Sequence, residues 1–223
     1  MRLQLILTPN TEPVPFNHLY QLTGALHKWL GPNNTLHDAT SLYSFGWLQG
    51  GKERNKGLHF PQGATWNLSF HDSDKARQLV RGLLDQPEVA YGMRVVEVRE
   101  QPTPVFGELS SLYTDGSAIL IRRKRADGSK EYLLWENPES DEVVTQSLKR
   151  KLAGAGYQGD DLNVRVSFDR SYPKARTRKI TIKNIAHKGS ECPVILEGTP
   201  EALHFAWTVG LGDLTGSGFG ALR

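Results

Sequence analysis

The chain opens on Arg2-Leu-Gln-Leu-Ile-Leu-Thr8, a run that mixes alternation with continuous apolarity and so predicts a β-strand covered on much of both faces. Prolines at 9, 13 and 15 end it. From Phe16 the period lengthens: Phe16, Leu19, Leu22, Leu26, Trp29 and Leu30 form one stripe of a helix that Gly31-Pro32 stops. Tyr20, Gly24 and His27 follow at spacings of four and three, which puts them on one flank beside that stripe. Residues 33–38 read as loop or the start of a short helix, with Asn34 or Thr35 as its cap. Leu42-Tyr-Ser-Phe-Gly-Trp47 and Thr65-Trp-Asn-Leu-Ser-Phe70 alternate like half-buried strands on either side of a polar, basic turn over 49–56. A helix over 74–84 capped by Ser73 and a strand over 90–98 complete the order β, α, β, β, α, β, that of a ferredoxin-like domain. Gln101-Pro-Thr-Pro104 is the candidate linker, which gives an N-terminal domain of residues 1–104.

Residues 105–223 repeat the theme less cleanly. Strands are expected near 118–123, 130–135, 162–168, 178–185 and 193–197, with a helix over 142–152. No residue-level repeat links the two halves, so the duplication rests on the order of the elements. The last helix is the best marked: Thr199 is its N-cap, Pro200 its first helical residue, and Gly210 or Gly212 its end. Beyond it, Gly210, Gly212, Gly216, Gly218 and Gly220 remove Cβ from almost every other position, which permits backbone N–H groups to approach a phosphate closely. A helix C-cap followed by a turn accounts for one or two of these glycines. A P-loop needs Gly-Lys-Ser/Thr after its glycines, and a dinucleotide site needs a strand before them; neither is present.

Composition narrows the function classes. The 223 residues are 38% apolar with five tryptophans, enough for a substantial core, and the single cysteine excludes an internal disulfide and a Cys-rich zinc site. No run is long enough to span a bilayer and no signal peptide is visible, which points to a cytoplasmic protein. The net charge is only +3, but Arg122-Arg-Lys-Arg125, Lys149-Arg-Lys151 and Lys174-Ala-Arg-Thr-Arg-Lys179 gather positive charge in the second half, as for an acidic polymer partner. Each run by itself also fits a solvated face. The seven histidines are scattered, with no His-Glu-x-x-His or Cys-x-x-Cys spacing and no cofactor motif, so neither a metal nor a cofactor is expected. Catalysis by this chain is then expected to run on side-chain acid and base chemistry, for which histidine, with an unperturbed pKa of roughly 6.5, serves either role.

A helix, then Gly-Leu-Gly-Asp-Leu-Thr-Gly-Ser-Gly-Phe-Gly220, then a short apolar strand resembles the glycine-rich signature of the RAMP superfamily. Within it the chain is most similar to the CRISPR repeat-processing endoribonucleases, the Cas-six family, over nearly its whole length. Only Ala221-Leu222-Arg223 follow the glycines, where the resemblance leads one to expect a longer strand. It implies an α+β protein of tandem ferredoxin-like (RRM-like) domains, 1–104 and 105–223. It also implies metal-independent cleavage of precursor CRISPR RNA within each repeat, leaving a 2′,3′-cyclic phosphate and a 5′-hydroxyl. Repeat RNA, precursor and mature guide, is the implied partner, and effector-complex subunits or a homodimer are admitted. A non-cleaving RAMP subunit that holds guide RNA is the alternative; a small-ligand enzyme of ferredoxin-like fold is disfavoured by the basic runs.

The resemblance places a catalytic histidine after the first helix, where His37 is the closer positional match, and a second acid or base on the flank that carries His27. His27 sits in the last turn, where the helix C-terminus favours its protonated form. The plainer roles are a capping histidine for His27 and a local loop contact for His37. The lysine that some members carry shortly after the histidine is missing, so Lys52 and Arg54 become the candidates to hold the phosphate, and Tyr43 an alternative acid, a stacking platform or simply core. For RNA binding, Arg122, Arg123 and Lys124 lie on or after a strand, and Lys174, Arg176, Arg178 and Lys179 suggest a basic hairpin that grips a stem.

Overall fold

A computed structural model describes residues 1–32, 34 and 40–223. The first half runs β1 (Arg2–Leu7), α1 (Leu19–Leu30), β2 (Tyr43–Phe45), β3 (Lys52–Arg54), β4 (Gly57–His59), β5 (Ala64–Phe70), α2 (Ser73–Asp85) and β6 (Val95–Glu100). Its antiparallel sheet has the order β2-β5-β1-β6, and β3 with β4 form a separate hairpin inserted between β2 and β5. Removing that hairpin leaves the ferredoxin-like pattern. Leu3, Leu5 and Leu7 of β1 face Leu22, Leu26 and Trp29 of α1 and Leu79 and Leu83 of α2 in one core. The helices close up at Gly82, where a Cβ would lie 2.1 Å from the Trp29 carbonyl oxygen. At the same end the Trp29 indole donates to the Gln86 carbonyl and the Gln78 amide to the Leu30 carbonyl, so the closing carbonyls of both helices are satisfied.

Several boundaries differ from expectation for local reasons. Phe16 is 45% exposed and lies outside α1, because His18 Nδ1 bonds the Pro15 carbonyl and holds residues 15–18 as a turn. Asp72, not Ser73, caps α2 by accepting from the Asp74 amide. Residues 49–56 are more than a turn: Asn55 and Lys56 both take positive φ and join β3 to β4 as a tight hairpin. A turn with positive φ at Tyr91 and Gly92 delays the next strand to Val95.

The second half comprises β7 (Leu109–Leu112), β8 (Arg122–Lys124), β9 (Lys130–Tyr132), α3 (Glu139–Gly154), β10 (Arg165–Phe168), β11 (Arg176–Ile182), β12 (Ile185–Glu191), β13 (Val194–Glu197) and α4 (Pro200–Val209). Its main sheet is β10-β13-β7, and the terminal segment extends it: Tyr113 and Arg223 exchange backbone hydrogen bonds and the Asp115 amide donates to Ala221. With that segment as fourth member the order repeats the first half's, and β8-β9 and β11-β12 are inserted hairpins. The chain is thus a tandem ferredoxin-like α+β protein. Two strands were not anticipated. Glu108-Leu-Ser-Ser-Leu112 is too polar to advertise β7, and the single strand expected over 178–185 is a hairpin that reverses at Lys183 and Asn184, both with positive φ. The expected strand over 118–123 is regular only at 122–124; residues 118–121 are buried, with bridges from Ile119 to Ser190 and Leu120 to Gly212.

The halves share their interior. Ala118, Leu120, Ile180 and Phe219 of the second half are buried in the core of the first. Arg2 donates to the Leu222 carbonyl and pairs with Asp115 at 3.1 Å, both side chains buried, while the Asn67 amide donates to the same carboxylate and Trp207 lies 4.6 Å from the guanidinium. Burial lowers the pKa of Arg2 and raises that of Asp115, each opposed by the partner charge.

Candidate active site

Thr199 caps α4 by accepting from the Ala202 amide, with Pro200 at the first position, and Gly210 ends the helix, as its sequence predicts. The glycines that follow do something other than was anticipated. Gly210, Gly212, Gly218 and Gly220 have positive φ, and all four are buried against the chain itself. A Cβ on Gly212 would stand 2.3 Å from the Leu120 carbonyl oxygen and one on Gly220 1.9 Å from that of Leu211. The amides of Leu211, Asp213 and Gly220 donate to Gly220, Leu120 and Ala118. The close approach that Gly210, Gly212 and Gly220 permit is therefore made to protein backbone, and that of Gly218 to the Leu19 and Phe45 side chains, while Phe219 enters the first core. Gly216 is the exception, with no positive φ; it sits in the 3-10 turn Thr215–Ser217 against the Tyr43 hydroxyl. β2 and its flank tie down the same segment: Ser44 donates to the Thr208 carbonyl, Tyr43 to Gly216 at 3.4 Å and Trp47 to Gly218 at 2.8 Å.

Between this segment, α1 and the tip of the β11-β12 hairpin lies a cleft of about 680 Å³. The flank read from the helical period lines it: Tyr20, Thr23, Gly24 and His27 form one wall. Ser41 and Tyr43 form the floor, Leu214, Gly216 and Ser217 the opposite wall, and Ile182 and Lys183 the rim. Lys183 Nζ stands 4.8 Å from the Tyr20 ring centroid, a cation–π contact that holds an ammonium at the cleft mouth.

His27 is oriented by its neighbours. The Asn34 amide nitrogen donates to the Gly31 carbonyl at 2.6 Å, which leaves its Oδ1 to meet His27 Nδ1 at 3.2 Å. An oxygen acceptor there requires the proton on Nδ1, so in the neutral ring Nε2 is the basic nitrogen. His37 lies outside the described residues. Tyr43 is buried, stacked on Phe70 with centroids 5.6 Å apart, and burial pushes its pKa up to about 12, so its hydroxyl keeps its proton and is available as a hydrogen-bond donor.

Lys52 and Arg54 do not join this cleft. They lie exposed on β3, with Lys52 opposite His59 and Arg54 opposite Gly57 in the β3-β4 hairpin. The lysine that does line the cleft is Lys183; the sequence signal for it is Lys-Asn between two alternating runs, the residue type of a tight reversal. The basic runs also divide. Arg122 bonds Asp213 at 2.8 Å, Arg123 bonds Glu131 and Glu139, and Arg125 pairs with Glu131. Arg176 and Arg178 both hold Glu191. Lys124, Lys174 and Lys179 are exposed. Lys151 is buried in α3 behind the glycine-rich segment, where Nζ reaches the Gly210 carbonyl at 3.4 Å and Thr215 Oγ1 at 3.2 Å. Burial lowers its pKa to about 8, partly opposed by Asp213. Among the described residues no three His, Cys, Asp or Glu side chains cluster as a metal site, and no helix is long and apolar enough to cross a membrane.

Two ferredoxin-like units closed by a glycine-rich terminal segment are the architecture of RAMP proteins. The model of the family described as CRISPR associated protein Cas6, C-terminal, matches residues 101–223, more than half of the chain, and the chain belongs to the Cas6 family. No curated relative matches the sequence. Similarity to solved structures extends over its whole length. A Cas6-related protein from Pyrococcus furiosus matches with a TM-score of 0.88 at 18% identity, covering 100% of this chain and 97% of the other. A RAMP protein binding different RNA substrates gives 0.83 at 18% identity, covering 100% and 98%. A Cas6 product complex gives 0.71 at 14% identity, covering 99% and 97%. At these identities the likeness is one of fold.

Proposed function

We propose that the chain is an endoribonuclease that cuts precursor CRISPR RNA within its repeats by metal-independent acid and base catalysis. The observation that carries this reading is His27, set by Asn34 in the wall of a cleft between α1, the glycine-rich segment and a lysine-tipped hairpin. The similar folds of a RAMP protein that binds RNA substrates and of a Cas6 product complex support RNA as the substrate class. In the reaction the ribose 2′-oxygen attacks phosphorus as a base removes its proton, and the 5′-oxygen leaves as an acid returns one. The products are a 2′,3′-cyclic phosphate and a 5′-hydroxyl. His27 Nε2 supplies one of these transfers and His37 the other; Lys183 and the Tyr43 hydroxyl offset the charge that gathers on the phosphorane oxygens. Lys179 and Lys188, cross-strand neighbours on the exposed face of the β11-β12 hairpin, extend the positive rim toward the RNA backbone.

The test is incubation of the purified protein with repeat RNA from its own genome in excess chelator. A single cut per repeat with a 2′,3′-cyclic end is expected. Activity that vanishes on chelation and returns with magnesium contradicts the mechanism. Tight binding without any cut points to a guide-holding subunit instead.

A further inference from the structure

A second hollow, of about 230 Å³, lies on the other side of Leu214 from the cleft. Thr40, Ser41, Ser147, Arg150, Lys151 and Asp213 line it. Ser41 and Leu214 line both spaces, so the hollow continues the cleft. Ser147, Arg150 and Lys151 come from one face of α3, at spacings of three and four. The hollow therefore collects four hydroxyls, counting that of Thr215, and two cations, and its one carboxylate, Asp213, already accepts from Arg122 at 2.8 Å.

Lys151 is the telling residue. The residue is only 7% exposed and its ammonium has three N–H groups, yet its hydrogen bonds are to two neutral oxygens at 3.2 and 3.4 Å, long for a charged donor. We propose that this hollow is a subsite for an RNA phosphate next to the one that reacts, held by Arg150 and Lys151 with the Ser147 and Ser41 hydroxyls. The proposal rests on the RNA-cleaving reading of the adjoining cleft. A phosphate there supplies a charged acceptor and adds to the charge of Asp213, which only partly offsets the burial that lowers the lysine pKa to about 8 in the unliganded chain. Leu214, held at φ 56 between the two spaces, sets the spacing between consecutive phosphates.

A lysine that only braces the glycine-rich segment needs neither Arg150 nor Ser147, and this separates the alternatives. Arg150 is exposed, so Arg150→Gln leaves the fold intact, whereas Lys151→Met removes bonds to Gly210 and Thr215. The experiment places one uncharged methylphosphonate at each phosphate around the cut in turn and measures affinity for the parent and for Arg150→Gln and Ser147→Ala. At one phosphate adjacent to the cut, the neutral group is expected to weaken the parent about tenfold, the scale of one charge-assisted hydrogen bond, and to weaken Arg150→Gln far less. Equal losses at every position in parent and variants overturn the subsite, as does coupling only at a phosphate remote from the cut. If the parent cuts RNA but shows no coupling, the subsite fails and the nuclease stands. If it binds without cutting and coupling appears at one phosphate of the repeat, the phosphate site stands and the cleavage reading fails. A parent with no affinity for repeat RNA overturns both.

Discussion

Residues 122–125 and 149–151 look alike in sequence, each a short run of cations, yet they end in opposite electrostatic situations. In the first, Arg122, Arg123 and Arg125 each meet a carboxylate, from Asp213, Glu131 or Glu139. In the second, α3 turns Lys151 inward and leaves Arg150 beside it at the edge of a hollow. A run of cations points to an outside partner where the fold leaves its charges without a bonded carboxylate, as Asp213, which lines the hollow, bonds Arg122 instead. The β8-β9 hairpin brings one opposite Arg123, whereas the glycine-rich segment offers Lys151 mainly neutral oxygens.

The largest predicted effect is at the seam that joins the two regions. Gly212 bridges Leu120, just ahead of β8, and its neighbours hold Lys151. Gly212→Ala forces a left-handed φ on a residue with a Cβ and drives that Cβ into a carbonyl, so a loss of about 2–4 kcal/mol is expected in denaturant unfolding. An unchanged midpoint means the seam yields more easily than its distances indicate.

Protonation of Lys151 gives the next effect. Its pKa is about 8 when folded against 10.5 as an ordinary lysine, so below about pH 8 both states carry the proton and the cost of burying charge is present in full. Between pH 8 and 10.5 the folded state releases the proton while the unfolded chain keeps it, and stability rises with pH, by on the order of 3 kcal/mol in all. The difference in unfolding free energy between the parent and Lys151→Met should follow that rise; a flat difference contradicts it.

Salt dependence separates the runs directly. Arg150→Gln should reduce the slope of log affinity for repeat RNA against log salt by about one unit, and Arg123→Gln should leave it unchanged. Equal slopes for the two variants erase the distinction. Smallest of all, Arg123→Gln should leave the denaturant midpoint essentially where it is in the parent, since its ion pairs are solvent-exposed, and a clear drop in that midpoint contradicts this.

The sequence disclosed what is set by local periodicity. The α1 stripe from Leu19 onward, the flank that brings Tyr20, Gly24 and His27 together, and the cap, start and end of α4 are all local patterns, and each appears where it was expected, Phe16 alone falling outside the helix. What depends on distant partners was misread or missed. The glycines at 212 and 218 looked free to meet a ligand because the Leu120 carbonyl and the Phe45 ring they pack against are remote in sequence, and Gly220 because only the folded segment brings it back onto Leu211. Lys183 was hidden inside a predicted strand, since only the hairpin register shows that the chain reverses there. Lys151 looked like one more surface charge; its burial comes from the terminal segment packing over α3.

The central claim is that His27 acts on the reacting bond, and its most direct test is single-turnover cleavage of repeat RNA by His27→Ala beside the parent, with affinity measured for both. The account predicts a rate lower by about a hundredfold or more, with a dissociation constant within about threefold of the parent's, since proton transfer belongs to the transition state and not to binding. A variant that cuts as fast as the parent contradicts it and returns His27 to a capping role at the end of α1.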